Sequence, residues 1–255
     1  MLSLSFFGAS HTVTGSCFLL QRDKTRILID CGMFQGSKSE KELNYRSFPF
    51  TAREIDATVL THAHIDHSGL IPKLVKDGFE GPIFATRATS DLCSVMLPDS
   101  GFIQESEVTQ LNRRNQQRGR DPVSPIYTAE DAQACLPQFR PVEYCAWTDL
   151  APGIKLRFWN AGHLLGSASA EIHVQMDDGA TKKLLFSGDI GPDQKLLESD
   201  PEAPKDLDYI ICESTYGDTE RAPLSSESRR KQLRKEVEGA MKRNGALIIP
   251  SFAVE

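Results

Sequence analysis

The sequence predicts an α/β fold, on three observations. Short apolar runs near the start, at 2–7, 16–20 and 25–29, are separated by turns containing Gly, Asp and Lys, as in a meandering sheet. Apolar residues then recur at helical spacing, beginning with the stretch 70–75. Four predicted strands each lead into a loop that carries an Asp or a His, with glycines where the chain turns. These patterns indicate a mixed fold with polar side chains at strand ends.

The remaining elements are predicted from the same patterns in chain order. Gly78 ends the first helix. The stretch 88–117 predicts a helix with a break near Pro98, whose polar second half could cover one side of a cleft. Further strands are predicted at 57–60, 154–159, 168–176, 183–186, 207–212 and 246–249, and a basic amphipathic helix at 226–243, ended by Asn244-Gly245.

Length and charge narrow the class of protein. A chain of 255 residues with 40% hydrophobic residues can bury a substantial core, so one large domain is expected. The formal net charge of -6 argues against a protein that holds nucleic acid by bulk electrostatics. Two basic clusters, at 113–120 and 229–235, are open to two interpretations, solvated helix faces or patches that contact RNA.

The six cysteines lie mostly within apolar stretches and form no Cys-x-x-Cys pair. They are therefore predicted to be buried free thiols in a reducing compartment. No apolar stretch approaches the length of a membrane span, and the first residues lack the basic region of a signal peptide. These features favour a cytoplasmic protein.

A heptapeptide at 61–67, Thr-His-Ala-His-Ile-Asp-His, holds three of the six histidines of the chain beside an aspartate. Imidazole and carboxylate ligands without a nearby thiolate suit Zn²⁺ first, with Mn²⁺ or Fe as substitutes. His62 and His64 lie two residues apart, so their rings point to one side of an extended segment. Asp66 and His67 follow after a turn, where they can face a second ion. The motif predicts a two-metal site rather than a chance cluster of histidines.

Other strand ends supply further candidates. Asp30, His163 and Asp189 each follow an apolar run and lie within two residues of a glycine. Metal-bound histidines need a partner on the second ring nitrogen, so Asp30 is predicted to hydrogen-bond the histidine-rich loop rather than to bind metal directly. His11 and His173 have no ligand-like spacing and are predicted to be structural.

These motifs resemble those of the metallo-β-lactamase superfamily, and within it the β-CASP branch of RNA-processing metallonucleases. Asp30 matches the first family motif, residues 62–67 the second, His163 the third and Asp189 the fourth. The block Glu213-Ser214-Thr215-Tyr216-Gly217-Asp218 matches the acidic motif that opens the β-CASP region and separates this branch from β-lactamases, glyoxalases and lactonases. The chain departs from the family at Thr219-Glu220-Arg221, where many members carry a histidine, and in stopping at Glu255 before two further family histidines.

The resemblance implies a four-layer αββα sandwich with the metal cleft along the upper edge of its two sheets. It implies a hydrolase domain at 1–213 and the beginning of a β-CASP domain at 214–255. In the family this second domain is inserted into the hydrolase core. The chain is therefore expected to be truncated at its C-terminal end, with an incomplete second sheet.

The resemblance also implies a dinuclear zinc centre. The first ion is assigned to His62, His64 and His163. The second ion is assigned to Asp66 and His67, and the carboxylate of Asp189 is assigned to both ions. A metal-bound hydroxide is expected to attack an RNA phosphodiester. Asp66, Asp189 and Glu213 are the predicted catalytic residues, Glu213 by orienting a ligand histidine. The second site is expected to be incomplete, and this chain alone to be weakly active or inactive.

The predicted function is a metal-dependent ribonuclease, with RNA as its partner, no membrane contact, and a homodimer formed through the exposed edge of the second sheet. Two alternatives remain open. One is another hydrolase of the same fold that acts on a thioester, lactone or β-lactam, against which the block at 213–218 argues. The other is a non-catalytic RNA-binding or assembly subunit, against which the retained metal ligands argue.

Overall fold

The structure, a computed structural model, describes residues 1–193, 199–220, 225–243 and 245–251. The strands in these residues are β1 (Leu2–Phe6), β2 (Phe18–Arg22), β3 (Thr25–Ile29), β4 (Ala57–Val59), β5 (Ile83–Ala85), β6 (Phe139–Pro141), β7 (Thr148–Ala151), β8 (Ile154–Asn160), β9 (Ala168–Gln175), β10 (Thr181–Phe186) and β11 (Tyr209–Ile211). The α-helices are α1 (Lys38–Leu43), α2 (Ile65–Ser68), α3 (Ile71–Lys76), α4 (Arg87–Gln117), α5 (Ala129–Cys135) and α6 (Ser226–Lys242).

The strands form two sheets, ordered β1-β2-β3-β4-β5-β6 and β11-β10-β9-β8-β7. In the first sheet, β1 to β3 form the predicted antiparallel meander, and β3 to β6 run parallel to one another. In the second sheet, β7 to β10 are antiparallel and β11 pairs with β10 in parallel. The predicted α/β class is confirmed.

The two sheets face each other across an apolar core. Ile27 and Ile29 of β3 pack in the core between the sheets, whereas Leu28 between them packs in the core beneath the helices, because successive strand residues point to opposite faces. Phe158 and Ile172 enter the first of these cores from the second sheet. Burying such a side chain contributes about 1.5–3 kcal/mol. This core fixes the strand ends that carry the candidate site.

Helices pack against the other face of the first sheet. Helix α3 buries Ile71 and Leu74, and α4 packs closely on α5. At the crossing of these two helices, a Cβ added to Gly101 would lie 2.6 Å from the backbone nitrogen of Ala129. The close approach of α4 to α5 therefore requires glycine at this position.

Helix α4 runs through Pro98 without interruption, so the predicted break is wrong. A proline removes one backbone N–H donor and crowds the preceding turn. Cys93, Leu97 and Gly101 recur every four residues and are all buried. The packed face of the helix thus extends to both sides of the proline, and this packing outweighs the local cost.

Residues 246–249 form no strand in the part of the chain that the structure describes, so that prediction is also wrong. Leu247, Ile248 and Ile249 are 41%, 85% and 63% exposed. An apolar run becomes a strand when a neighbouring strand and a buried face complete it, and none of the described strands pairs with this run. Asn244, the predicted end of the last helix, lies outside the described residues.

Besides the four-residue α2, five short elements escaped prediction: α1, β5, β6, β7 and α5. The three strands have only three or four residues each, too few to show a period. The two helices carry a signal that was overlooked, because each begins with a capping box, Ser37 with Glu40 and Thr128 with Asp131.

All six cysteines are free. Four of them are buried, Cys17, Cys31, Cys93 and Cys135, and two are exposed, Cys145 and Cys212. The prediction of burial is therefore wrong for the last two.

Among the described helices, none has both the length and the apolar character needed to cross a membrane. The domain boundary at 214 falls shortly after β11 and stays a prediction.

Candidate metal centre

Four loops that follow strands converge at one edge of the two sheets. Asp30 follows β3, the segment 61–67 follows β4, His163 lies between β8 and β9, and Asp189 follows β10. The loops of the two sheets are joined directly, because the backbone N–H of Ala168 donates to the carbonyl of Thr61 at 2.9 Å. Strand ends, rather than sequence proximity, thus assemble the site.

Four side chains form a compact group of metal-ligand atoms. One atom from each of His62, His64, His163 and Asp189 lies within 4.8 Å of all the others. His163 Nε2 is 3.2 Å from His64 Nδ1, and Asp189 Oδ2 is 3.5 Å from His163 Nε2 and 3.7 Å from His62 Nε2. A tetrahedral zinc ion with bonds of about 2.0–2.2 Å sets its ligand atoms about 3.3–3.6 Å apart. The three distances quoted above are close to those within one coordination sphere.

The hydrogen bonds of His62 orient its ring for metal binding. Its Nδ1 is 3.1 Å from Thr61 Oγ1, and the Thr61 hydroxyl donates to Asp30 Oδ2 at 2.9 Å. Because that hydroxyl has one proton, it accepts from His62, which places the imidazole proton on Nδ1. His62 Nε2 is then a buried acceptor with no hydrogen-bond partner among the described residues. A buried polar atom is costly unless it is bound, so these residues fit a metal ion.

The protonation states of two group members also suit a cation. Burial lowers the pKa of His62 well below its ordinary value, and the nearby His67 and His64 lower it further. Neutral imidazole is the form that binds metal. Burial raises the pKa of Asp189, but the hydrogen bond and charge of His67 lower it below the usual 3.8, so the carboxylate is ionised.

His67 lies outside the four-residue group, between two carboxylates. Its Nδ1 is 2.7 Å from Asp30 Oδ2, and its Nε2 is 3.2 Å from Asp189 Oδ1. Burial lowers the pKa of His67, but the charges of Asp30 and Asp189 and their hydrogen bonds to the ring raise it to about 10. The two oxygens of Asp189 therefore face different histidines.

Asp30 occupies a conformation that the surrounding contacts hold in place. Its φ is 56°, the left-handed region that costs a residue with a side chain about 1–3 kcal/mol. The carboxylate accepts from the backbone N–H of Thr61 at 2.8 Å as well as from its hydroxyl, and it contacts His67. These bonds offset the strain and place Asp30 beside the histidine-rich loop.

Backbone contacts fix the two histidine-bearing loops. A Cβ at Gly32 would lie 1.6 Å from the carbonyl oxygen of Asp66, so the loop after β3 packs directly on residues 61–67. In the second sheet, Ser167 Oγ accepts from the backbone N–H of His163 at 2.9 Å. The positions of the rings are therefore set by the backbone beneath them.

The other predicted site residues lie outside the group. Asp66 is half-buried in the first turn of α2, and its carbonyl accepts from Ser16 N at 2.8 Å. The carboxylate of Glu213 accepts from the backbone N–H groups of Ile190 at 2.9 Å and Thr215 at 3.3 Å. Glu213 thus holds the segment after Asp189, and its contact with a histidine stays a prediction.

The two histidines that were predicted to be structural also lie outside the group. His173 lies on β9, with Nε2 2.7 Å from Glu171 Oε1. His11 lies in an exposed loop.

Sequence reasoning missed two hydroxyl residues that hold the site. Thr61 joins Asp30 to His62, and Ser167 fixes the loop of His163. Both stand where a strand meets a loop, within a few residues of a histidine. Short hydroxyl side chains at such junctions often bond nearby polar groups, which is the signal that could have found them.

Comparison with known proteins identifies sequence relatives of this chain. Residues 12–83 match the metallo-beta-lactamase superfamily profile. The chain is 38% identical over 249 residues to ribonuclease TTHA0252 of Thermus thermophilus, covering 98% of this chain and 51% of the relative. It is 33% identical over 254 residues to transcription termination factor FttA of Methanocaldococcus jannaschii, covering 99% of this chain and 37% of the relative. A solved subclass B3 metallo-beta-lactamase from a soil metagenome library has a TM-score of 0.41 and 20% identity, covering 68% of this chain and 56% of that chain.

Two facing sheets with a histidine–aspartate group at their edge define the class of protein, a metallo-β-lactamase fold, and membership of this class implies divalent-metal binding. The chain belongs to the metallo-β-lactamase superfamily, in the RNA-processing β-CASP branch, which confirms the resemblance. It spans about half the length of the ribonuclease relative, 51%, and 37% of the FttA relative.

Proposed function

We propose that this chain carries the metal centre of a ribonuclease that hydrolyses RNA phosphodiester bonds. The observation that carries the proposal is His62 Nε2, a buried nitrogen that has no hydrogen-bond partner among the described residues and lies in a group with His64, His163 and Asp189. The 38% identity to a protein named ribonuclease, over 98% of the chain, supports RNA as the substrate.

Zinc is the ion that this donor set suits best, with Mn²⁺ or Fe as substitutes, because three imidazoles and a carboxylate are typical zinc ligands. When bound, the metal supplies Lewis-acid chemistry, which acidifies water and neutralises charge on a phosphodiester. Asp66 and His67 are proposed to hold a second ion, with Asp189 shared between the two. His67 Nε2 and Asp189 Oδ1 lie 3.2 Å apart, close enough for one ion to bind both once it displaces the proton that Asp30 and Asp189 favour on His67.

The protein itself contributes orientation and charge. Asp30 bonds both Thr61 and His67, so one carboxylate orients histidines of both proposed ion sites. His163 and Asp189 have side chains that are 22% and 26% exposed, which leaves one side of the group open to a substrate from solvent. Glu213 positions the segment after Asp189 through Ile190.

The cellular setting and the domain division belong to the same proposal. Six free thiols, four of them buried, suit a reducing compartment and support a proposed location in the cytoplasm. Residues 1–213 are assigned to the hydrolase domain and 214–255 to the beginning of a β-CASP domain. A homodimer through the second sheet stays a prediction, supported by the exposure of Tyr209 (55%) and Ile210 (61%) on β11.

The test is cleavage of an end-labelled single-stranded RNA with the chain in excess, because slow turnover is expected. Zinc or manganese should support cleavage, and a chelator should stop it. His64→Ala should abolish cleavage, whereas His173→Ala, a histidine outside the group, should retain it. Cleavage that survives both the chelator and His64→Ala would refute the proposal.

A further inference from the structure

A groove separate from the four-residue group runs between α1 and the C-terminal half of α4. It has a volume of about 790 Å³, and its lining includes Lys38, Lys41, Tyr45, Leu111 and Val123. We propose that this groove binds single-stranded RNA as an extended contact for the strand held at the metal centre. The inference rests on the proposed function and adds to it a second place where substrate is recognised.

Both walls of the groove are preformed, because an asparagine clamps a peptide group in each. On one side, Asn44 Nδ2 donates to the carbonyl of Phe34 and its Oδ1 accepts from Phe34 N, both at 2.8 Å. On the other, Asn112 Nδ2 donates to the carbonyl of Val123 at 2.9 Å and its Oδ1 accepts from Val123 N at 2.8 Å. A preformed groove loses little conformational entropy when it binds a ligand.

Tyr45 is an aromatic side chain held on a rigid base. Buried Lys73 donates to the carbonyls of Asn44, at 2.9 Å, and Arg46, the residues on either side of Tyr45. The tyrosine remains 56% exposed. Exposed aromatic rings in cationic grooves are the surfaces on which unpaired bases stack. Partial burial and the charge of Glu107 raise the pKa of Tyr45, which keeps its phenol neutral.

Cations lie beside the groove on α1 and near the C-terminal end of α4. Lys41 lines the groove on the α1 side, Arg114 follows Leu111 by three residues, which puts it on the same face of α4, and Arg118 caps the end of that helix. No carboxylate in the described part of the chain forms an ion pair with Lys41, Arg114 or Arg118. On a chain with a net charge of -6, free cations beside a groove point to a polyanion.

The acidic side chains of α1 are engaged with the helix itself. Glu42 Oε1 lies 3.8 Å from Lys38 Nζ, and Glu40 Oε2 accepts from the backbone N–H of Ser37 at 2.7 Å. They therefore offset the rim cations less than free carboxylates would.

The segment 12–14 joins the groove to the metal centre. Its first two residues line the pocket beside Asp189. The third residue of the segment, Thr14, accepts through Oγ1 a hydrogen bond from the backbone N–H of Gln35 at 3.0 Å. Gly36, which follows Gln35 in the chain, lines the groove. A strand that leaves the metal centre across this segment thus reaches the groove.

The test measures binding of a labelled single-stranded RNA of about 16 nucleotides by fluorescence anisotropy, with chelator present to prevent cleavage. For the double variant Arg114→Ala/Arg118→Ala, the slope of log affinity against log salt should fall by about 1.4, because each phosphate contact contributes about 0.7 on a single strand. Tyr45→Ala should weaken binding about tenfold through lost stacking. The control, Lys24→Ala/Lys155→Ala, removes two exposed cations outside the groove and should keep the wild-type slope.

Three results would overturn the groove proposal: no RNA binding by the wild type, an unchanged affinity and slope in the arginine variant, or equal binding of double-stranded RNA of the same length. A second assay separates failure of the groove proposal from failure of the proposed function. It measures hydrolysis of bis(p-nitrophenyl) phosphate by the same proteins with added zinc or manganese. That diester is too small to reach the groove. A wild type that neither hydrolyses the diester nor holds zinc or manganese counts against the metal centre, whereas RNA binding that is equal in the wild type and the arginine variant counts against the groove.

Discussion

At the residue scale, Asp30 connects the polar groups beneath the candidate metal centre. It accepts from the backbone and the hydroxyl of Thr61 and contacts His67. Through Thr61 it also fixes the tautomer of His62, whose Nε2 faces the ligand group. Residues that hydrogen-bond the metal ligands, here Asp30 and Thr61, are therefore expected to affect metal affinity nearly as much as the ligands themselves.

Thr61→Val removes the hydroxyl while keeping the shape of the side chain. His62 Nδ1 then loses its acceptor, so zinc affinity should fall about 10–100-fold. Titration of zinc against a competing chelator measures this. Thr58→Val is the matched control, because Thr58 Oγ1 is buried and has no hydrogen-bond partner in the described part of the chain. Equal losses in the two variants would show that the Thr61 hydroxyl does not orient His62.

Asp189→Ala should lower metal content more than the loss of a one-site ligand does, because its two oxygens face different histidines. RNA cleavage should be lost with the metal. Elemental analysis of the purified variant gives the metal content, with Asp178→Ala, an exposed turn residue, as the control. Normal metal content in Asp189→Ala would mean that this carboxylate is not shared.

At the element scale, the strands that deliver the site were predictable, whereas several details of the elements that support it were not. The strands β3, β4, β8 and β10 are apolar runs that end near a motif residue, so pattern alone located them. The continuity of α4 through Pro98 depends on tertiary packing, which no local pattern reports. Within the site, too, local pattern identified some residues, whereas the role of others depends on tertiary contacts. Spacing identified His62 and His64, but the role of Thr61 depends on Asp30, a residue distant in sequence.

Gly101→Ala tests the contact between α4 and α5. Alanine favours a helix over glycine by about 1 kcal/mol, but overpacking against rigid atoms costs about 1–3 kcal/mol. The added Cβ would meet three backbone atoms of Thr128 and Ala129 at 2.6–2.8 Å. The cost of this steric overlap should exceed the gain in helix propensity, so the free energy of unfolding should fall. Chemical denaturation measures it. Gly239→Ala in α6, where the Cβ meets only the flexible end of Arg243 at 3.4 Å, should be neutral or stabilising.

Glu171 anchors a polar cluster on the second sheet. Its Oε2 accepts from Arg157 Nε at 2.9 Å and Trp159 Nε1 at 2.7 Å, and its Oε1 lies 2.7 Å from His173 Nε2. Burial raises the pKa of Glu171, but these hydrogen bonds and the Arg157 charge lower it below the usual 4.5. Because the folded pKa is below the unfolded one, this stabilisation is present above about pH 4.5 and is lost as pH falls through the folded pKa.

Glu171→Gln should therefore lower the free energy of unfolding at pH 7 by about 1.5–3 kcal/mol, the usual contribution of hydrogen bonds to a charged group. It should also flatten the acid side of the stability profile. Urea denaturation between pH 3 and pH 7 measures both effects. Asp149→Asn, an exposed carboxylate on β7, should keep the wild-type profile. An unchanged acid limb in Glu171→Gln would contradict the assignment.

At the scale of the whole molecule, the candidate ligands come from both sheets. His62 and His64 follow β4 of the first sheet, whereas His163 and Asp189 follow β8 and β10 of the second. A bound ion would tie the two sheets together and stabilise the folded chain by mass action, about 2.7 kcal/mol at a hundred times its dissociation constant. Positive charge at this edge would also offset the net charge of -6 where a phosphodiester approaches.

The divalent metal that the superfamily implies is expected to bind at this sheet edge. The most direct test is elemental analysis of the chain, purified without chelator, alongside His163→Ala. The wild type should carry at least one tightly held equivalent, with a proposed second site at Asp66 and His67 less filled, and the variant should lose the tightly held ion. A wild type that carries no metal, or a variant that keeps all of it, would contradict the account.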